Sequence, residues 1–253
     1  MRTQDGDTAL SVSGKVAIVA ALKREVHPLI RNWHANKRQH EGRRFKFFES
    51  EWAVLVCGGI GAEAARRASE AVIAIYHPSL IISAGFAGAL DPSLLVGNVL
   101  MPRWVIDAGD GSRTDTGAGA GTLVSIDSVA GPEQKAKLAK AYGAQAVDME
   151  AAAVARGAQV RGVRFTAIKA ISDESNFVMP PMKRFVNGNG EFNTNRFVVF
   201  ALVRPWLWPK MAHLARNASR AARALCESLE QCSRAVGNGE ALALKPLVSQ
   251  GQQ

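Results

Sequence analysis

Three carboxylates that follow apolar stretches are the residues of this sequence best suited to chemistry. Glu25 follows the run KVAIVAAL, Glu150 lies within AVDMEAAAVA, and Asp173 follows VRFTAIKAIS. Each residue alone is explained by capping, because a carboxylate stabilises the first turn of a helix. Three together indicate a site, since grouping like charges costs free energy unless a ligand or a proton neutralises them.

Such a set of carboxylates could cleave a glycosidic bond at a ribosyl centre. Loss of a purine passes through an oxocarbenium-like state and leaves negative charge on the base. One carboxylic acid can protonate the departing purine nitrogen, and a second carboxylate can accept hydrogen bonds from both ribose hydroxyls. A third can activate water or contact the far side of the sugar. The pairing resembles that of glycosidases, although the leaving group here is a base.

The glycine turn GGIG at residues 58–61 has three interpretations: a dinucleotide fingerprint, a phosphate cradle or a tightly packed turn. Gly59, Gly61 and Ala64 match the dinucleotide spacing. The turn does not follow the first strand, however, and no acidic residue ends a suitable strand about 20 residues later. Backbone N–H groups near Gly59, together with Arg24, are candidates for holding an anionic nucleophile such as inorganic phosphate.

Predicted strands alternate with predicted helices along the chain, and several strands are continuous apolar runs. This pattern predicts an α/β fold with a mainly parallel central sheet flanked by helices, and the length of 253 residues allows one large domain or two small ones. Ligands of such folds bind beyond the carboxyl ends of the strands, which would bring the three carboxylates to one pocket. We expect a flexible leader at 1–14, a domain at 15–232 that includes basic C-terminal helices at 204–232, and a disordered tail at 233–253.

The basic balance of the chain concentrates late in the sequence. The formal net charge is +9, and the segment from Arg196 to Arg223 contains no Asp or Glu. Nucleic acid, an anionic membrane surface or an anionic substrate could each use this charge, as could a solvated face. Nucleic acid is disfavoured because no binding motif or aromatic-lined sheet is seen. The tryptophans of 204–232 suit peripheral membrane contact, with a helix docked on the domain as the alternative.

The cysteine count and the absence of long apolar runs predict a cytoplasmic protein, with contact at the inner membrane face as an extension. Three cysteines argue against a disulfide framework, and none has metal-ligand spacing with histidine. The N-terminal residues lack the apolar core of a signal peptide. No apolar run approaches the roughly 18 residues of a membrane span. We expect no metal and no redox cofactor.

Five segments between Lys15 and Asp173 resemble the nucleoside phosphorylase and nucleosidase superfamily, which includes purine nucleoside phosphorylase and 5′-methylthioadenosine/S-adenosylhomocysteine nucleosidase. They are KVAIVAALKREV, GGIG, ISAGFAGAL, AVDMEAAAVA and AISDES. AVDMEAAAVA is similar to the family's most specific motif, V-E-M-E-[AT]-A-A-[IV]-A. In AISDES the preceding Lys169 stands where arginine is common.

The resemblance implies a role for each candidate residue. Asp173 would be the acid at purine N7, Glu150 would hold the ribose hydroxyls with Met149 packed on the sugar, and Glu25 would lie near the ribose ring or the nucleophile. Three residues would contact the base of a small adenine nucleoside. The fold would be a single α/β domain with a mixed, mainly parallel sheet, and members of the family usually form homo-oligomers. The base contacts are Ser128, Val129 and Ser172.

Two departures from the family pattern leave the branch open. Phe86 stands where serine or threonine often contacts the nucleophile, and Val129 stands where nucleosidases often place an aromatic residue. The hopanoid-associated phosphorylase branch is similar in the step Glu133–Ala136, in Pro180-Pro181 and in its basic tail. That branch is thought to release adenine from adenosylhopane. Hydrolysis and phosphorolysis both remain open, as do a methylthioadenosine nucleosidase and a non-catalytic nucleoside-binding protein.

Overall fold

Strands alternate with helices along the chain in a computed structural model, which describes residues 15–178 and 208–240. Within these residues the strands form one eleven-stranded mixed sheet. The strands are β1 Val16–Ala20, β2 His34–His40, β3 Arg43–Glu49, β4 Ala53–Cys57, β5 Leu80–Ala89, β6 Val99–Leu100, β7 Trp104–Asp107, β8 Arg113–Asp115, β9 Thr122–Ser125, β10 Ala146–Asp148 and β11 Arg164–Asp173. The helices are α1 Lys23–Ile30, α2 Ala62–Tyr76, α3 Pro132–Tyr142, α4 Ala151–Val160 and α5 Trp208–Gly237. The predicted fold class is confirmed.

The sheet is organised around the long strand β5. The strand order is β2-β3-β4-β1-β5-β10-β9-β7-β8, and β11 also pairs with β5 and with β6. The central pairs β4–β1, β1–β5, β5–β11, β10–β9 and β9–β7 are parallel. The carboxyl ends of β1, β5 and β11 therefore lie on one side, where ligands of such sheets bind. The end of β5 pairs antiparallel with β10 and brings it to the same place.

Two helical layers cover the sheet because side chains alternate along its strands. On β1, Ala17 and Val19 pack in the core formed with α2 and α4, whereas Val16 and Ile18 pack in the core formed with α1 and α5. The alanine-rich α4 can approach α2 closely, since a Cβ at Gly157 would lie 2.7 Å from Ser69 Oγ. A smaller core lies between α3 and strands β9 and β10.

Helix α5 docks on the domain through an apolar stripe. Ala221, Leu225 and Leu229 are fully buried and belong to the core formed with α1 and β1. The helix begins at Trp208 and continues to Gly237, beyond the predicted domain boundary at residue 232. Arg216, Arg220 and Arg223 are exposed on its outer side.

Several sequence expectations lie outside the described residues, and one strand was missed. The leader 1–14, the Pro180-Pro181 pair and residues 241–253 belong to the first group. β2 was not predicted because its sequence HANKRQH is polar at every position except Ala35. It pairs with β3 through a tight turn in which Glu41 and Gly42 have φ of 46° and 76°, the conformation of a two-residue hairpin turn.

Within residues 15–178 and 208–240, no helix combines the length and apolar character needed to cross a membrane.

Candidate active site

One cavity of about 480 Å³ opens at the carboxyl ends of β1, β5, β10 and β11. Glu25, Glu150 and Asp173 all line it, so the structure brings together the three carboxylates selected from the sequence. Met149, Ser172, Phe86 and Arg24 line it as well, with the segment Ile126–Ala130 at one side and α5 at another.

Glu25 is held in the first turn of α1 with its side chain buried. Its Oε2 accepts a hydrogen bond of 3.3 Å from the Leu22 N–H. Burial and, next, the negative charge of Glu150 raise the pKa of Glu25 from 4.5 to about 7. Gly85 on β5 leaves room for this carboxylate, because a Cβ there would lie 3.2 Å from Glu25 Oε2. Glu25 can therefore exchange a proton near neutral pH.

Glu150 stands immediately before α4 and is tied to the glycine turn. Its Oε1 accepts a hydrogen bond of 2.8 Å from the Gly61 N–H. Desolvation of its partly buried carboxyl and the negative charge of Asp148 raise its pKa, while the positive charge of Lys169 acts in the opposite direction. The remaining oxygen can accept hydrogen bonds from a ligand.

Beneath Glu25 and Glu150 lies a buried ion pair. Lys169 Nζ is 2.8 Å from Asp148 Oδ2, and both side chains are fully buried. Asp148 also accepts hydrogen bonds from Ser125 Oγ and from the N–H of Ala151, the first residue of α4, although the N-cap position itself is Glu150. Burial lowers the pKa of Lys169, but the negative charges around it outweigh burial, and the pKa is raised. Lys169 therefore stays charged and offsets part of the negative charge of the site.

Asp173 ends β11 and carries its own cation. Ser172 Oγ donates a 2.7 Å hydrogen bond to Asp173 Oδ1, and Lys135 Nζ contacts Asp173 Oδ2 at 2.5 Å. Lys135 comes from α3, is 2% exposed and also donates to the Glu174 carbonyl at 2.7 Å. The pairing register between β11 and β5 shifts between Ile171 and Asp173, and such an irregularity re-aims a side chain at a strand end.

The glycine turn acts as a support for Glu150. Gly58 and Gly59 donate their N–H groups to the carbonyls of Ala20 and Ala21, and Gly61 donates to Glu150. Gly59 does not line the cavity. These three amides are consequently occupied and do not form the phosphate cradle considered from the sequence. Arg24 does line the cavity, and its charge acts to lower the pKa of Glu25.

Comparison with known proteins identifies the family. Residues 15–130 and 118–230 match the model of the phosphorylase superfamily. The chain belongs to the phosphorylase superfamily. Its predicted resemblance to that superfamily is confirmed, and the chain is thereby an enzyme of a family that cleaves N-glycosidic bonds.

Individual members of the superfamily resemble the chain over most of its length. A 5′-methylthioadenosine/S-adenosylhomocysteine nucleosidase of Staphylococcus aureus (strain bovine RF122 / ET3-1) is 29% identical over 200 residues, which are 64% of this chain and 87% of the relative. A solved MTA/SAH nucleosidase has a TM-score of 0.68 at 19% identity and covers 90% of this chain and 98% of its own. The nucleosidase of Colwellia psychrerythraea 34H in complex with adenine has a TM-score of 0.56 at 24% identity, covering 64% and 83%.

The site contains a charged residue, Lys135, that was not predicted from the sequence. Lys135 lies on an amphipathic helix whose other lysines, Lys137 and Lys140, are exposed. The helical pattern gave no reason to separate Lys135 from them. Its position one turn after Gly131 directs it at the end of β11, which only the tertiary packing reveals. Within the described residues, no group of three His, Cys, Asp or Glu side chains is arranged to hold a metal ion.

Proposed function

We propose that this chain hydrolyses the N-glycosidic bond of an adenine nucleoside and releases adenine. The observation that carries the proposal is the grouping of Glu25, Glu150 and Asp173 around one cavity, each with a different environment. Different environments allow three carboxyl groups to take different roles. The adenine bound to the Colwellia nucleosidase and the name of the staphylococcal relative support adenine as the base.

Each group takes a distinct role in the proposed reaction. Glu150 accepts hydrogen bonds from the ribose 2′ and 3′ hydroxyls, with Met149 against the sugar. The C1′–N9 bond breaks, its electron pair leaves with the base, and Asp173 delivers a proton to N7. A water oxygen forms the new bond to C1′ and loses a proton to Glu25. With a pKa of about 7, Glu25 is ionised in a large fraction of molecules at neutral pH and can accept that proton.

Three observations favour water over inorganic phosphate as the attacking group. The amides of Gly58, Gly59 and Gly61 are already occupied. Phe86 lines the cavity at the position where the family often has a hydroxyl side chain. The pKa of Glu25 is raised first by burial and next by the negative charge of Glu150, and a phosphate dianion beside them would add further negative charge.

The wall formed by α5 supports an apolar group at the ribose 5′ position. Met211, Leu214, Ala215 and Ala218 line the cavity there. An apolar wall favours an apolar substituent, at about 0.8 kcal/mol for each buried methylene. The resemblance to the hopanoid-associated branch makes adenosylhopane our preferred substrate, and the short methylthio group of 5′-methylthioadenosine is the alternative.

Adenine release in phosphate-free and phosphate-containing buffer tests the reaction type. We expect equal rates, with free ribose product in both buffers, whereas ribose 1-phosphate would show phosphorolysis. Asp173→Asn should slow release about 100-fold while the fold is retained, as for loss of a general acid, and Asp110→Asn, an exposed aspartate away from the cavity, should not slow it. Full activity of Asp173→Asn, or binding of nucleosides without any turnover by the native protein, would contradict the proposal.

A series of adenine nucleosides with lengthening 5′-alkyl groups tests the apolar wall. We expect kcat/KM to rise with chain length in the native enzyme and to rise less in Leu214→Asn. Leu225→Val, on the buried side of the same helix, is the matched control and should keep the native gradient. A kcat/KM that is the same for all members of the series would refute an apolar 5′ site.

An apolar substrate also gives a use for the exposed arginines of α5. Arg216, Arg220 and Arg223 could hold the enzyme at an anionic membrane surface, where each cation near the surface contributes about 1 kcal/mol. Co-sedimentation with anionic vesicles should fall when all three are changed to Gln and should be unaffected by Lys137→Gln. Equal sedimentation of the triple variant and the native protein would dismiss membrane contact through this face.

A further inference from the structure

The side chain of Lys135 is placed where a merely solvated lysine of α3 would not be. It is 2% exposed and lines the cavity, and its Nζ donates hydrogen bonds to Asp173 Oδ2 and to the Glu174 carbonyl. A buried ammonium needs such partners, because removal from water is costly for a charge. The backbone makes space for the pair: a Cβ at Gly88 would lie 3.0 Å from Asp173 Oδ2 and 3.1 Å from Lys135 Cε.

The hydrogen bonds of Asp173 raise a problem for its role as an acid. Ser172 Oγ donates to Oδ1, and Lys135 Nζ donates to Oδ2. A carboxylate that accepts at both oxygens, with an ammonium beside it, is the acceptor-only form. In that form it has no proton for a departing purine, so the proton must reach Asp173 from elsewhere.

We propose that Lys135 is the source of this proton and that Lys135 and Asp173 protonate the leaving base as one unit. The inference rests on the proposed function. As the C1′–N9 bond breaks, the Lys135 ammonium transfers a proton to Asp173 and Asp173 transfers one to purine N7. Lys135 is left as a neutral amine and recovers a proton from solvent after adenine departs. The proton released by the attacking water leaves through Glu25, so the overall reaction consumes one water and no net proton.

The second buried lysine does not offer the same path. Lys169 Nζ lies 2.8 Å from Asp148 Oδ2 and does not line the cavity. Lys169 therefore balances charge under the sugar side of the site, whereas Lys135 alone of the two contacts the acid.

Two substrates separate a proton source from a structural lysine. An adenine nucleoside needs its base protonated, but 4-nitrophenyl β-D-ribofuranoside releases a stable phenolate without a proton. For Lys135→Met we expect adenine release to fall about 100-fold, as for loss of a general acid. We expect nitrophenolate release to remain near that of the native enzyme. Lys137→Met, two residues further along α3 and on its exposed side, is the matched control and should change neither rate.

Lys135→Arg distinguishes proton supply from charge. Arginine keeps the cation and its donors but does not give up a proton in proteins. We therefore expect it to release adenine as slowly as Lys135→Met, and to release nitrophenolate normally. Lys135→Met/Asp173→Asn should be no slower than Lys135→Met alone, because residues that act as one unit are non-additive. The double variant also removes the unpaired buried carboxylate, and circular dichroism follows the fold of all variants.

Three results would overturn the inference. Adenine release restored by Lys135→Arg would leave only an electrostatic role, and equal losses on both substrates would leave only a structural one. A double variant much slower than Lys135→Met would show that the two residues act separately. A native enzyme that releases nitrophenolate but no adenine from any nucleoside would instead refute the proposed function, which is measured before any variant.

Discussion

Because the pKa of Glu25 is raised, the protein should lose stability as pH rises towards 7. The substitution Glu25→Gln should remove this loss. The pKa of Glu25 is about 7 in the folded chain against an ordinary value of 4.5, chiefly because the group is buried and next because Glu150 is close. Between these values the folded state keeps a proton that the unfolded state has released. Stability contributed by this group is therefore present below pH 4.5 and is lost as pH rises towards 7.

The size of the effect follows from the same two values. A difference from 4.5 to about 7 corresponds to about 3 kcal/mol of unfolding free energy. Glu25→Gln carries no titrating proton and does not suffer this loss. We expect the free energy of unfolding of Glu25→Gln, relative to native protein, to rise by about 3 kcal/mol between pH 4.5 and pH 7.5. The difference between the two proteins cancels the titrating groups that are remote from Glu25, whereas Glu150, whose charge acts on the pKa of Glu25, contributes to the measured difference.

Urea unfolding of both proteins at a series of pH values measures this difference. Glu230→Gln, an exposed glutamate on α5, is the matched control and should give a difference that does not change with pH. The same group should govern activity: adenine release should rise through about pH 7 as Glu25 ionises, and the rise should be absent in Glu25→Gln. A stability difference that is constant across the pH range would refute the buried, protonated Glu25 on which the reasoning rests.

The other predictions concern packing and charge around the site. Gly88→Ala should slow adenine release with little loss of fold, since its Cβ would crowd Asp173 Oδ2 at 3.0 Å; steady-state kinetics and circular dichroism check this. Lys169→Met should lower the unfolding free energy by about 3–5 kcal/mol, because it leaves Asp148 buried without its cation. Lys169→Met/Asp148→Asn should recover part of that loss in urea unfolding. Leu225→Ala should destabilise by about 2–5 kcal/mol through loss of the α5 contact, measured in the same way. An unchanged unfolding midpoint in Lys169→Met or Leu225→Ala, or unchanged kinetics in Gly88→Ala, would contradict the contact assigned to that residue.

Much of the fold could be predicted from local patterns in the sequence. The runs KVAIVAAL and LIISAG are continuous apolar β-branched segments, and they form β1 and β5 at the centre of the sheet. β2 could not be predicted, because HANKRQH lies at the sheet edge with neither face in the core. Its only local signal is the Glu41-Gly42 turn. The predicted homo-oligomer depends on contacts between chains and stays a prediction.

The sequence predicted the carboxylates of the candidate site but not its lysine. Glu25, Glu150 and Asp173 stand at strand ends, and the rule for parallel sheets brings strand ends together. Lys135 stands on a helix with other lysines, and nothing in its spacing distinguishes it from Lys137. Which lysine of an amphipathic helix turns inward depends on where the helix docks, and that is a property of tertiary packing.

The site contains two pairs of opposite charge and one pair of carboxyl groups, and the pair of carboxyl groups supports the proposed chemistry. Lys169 neutralises Asp148, and Lys135 neutralises Asp173. Glu25 and Glu150 are left, and the negative charge of Glu150 is the second cause of the raised pKa of Glu25. Once Glu25 is ionised, two negative charges face the cavity, and positive charge that develops on the ribose in the proposed reaction attracts both of them. The ionised enzyme would then interact more strongly with the oxocarbenium-like state than with the neutral nucleoside, which is stabilisation of the transition state.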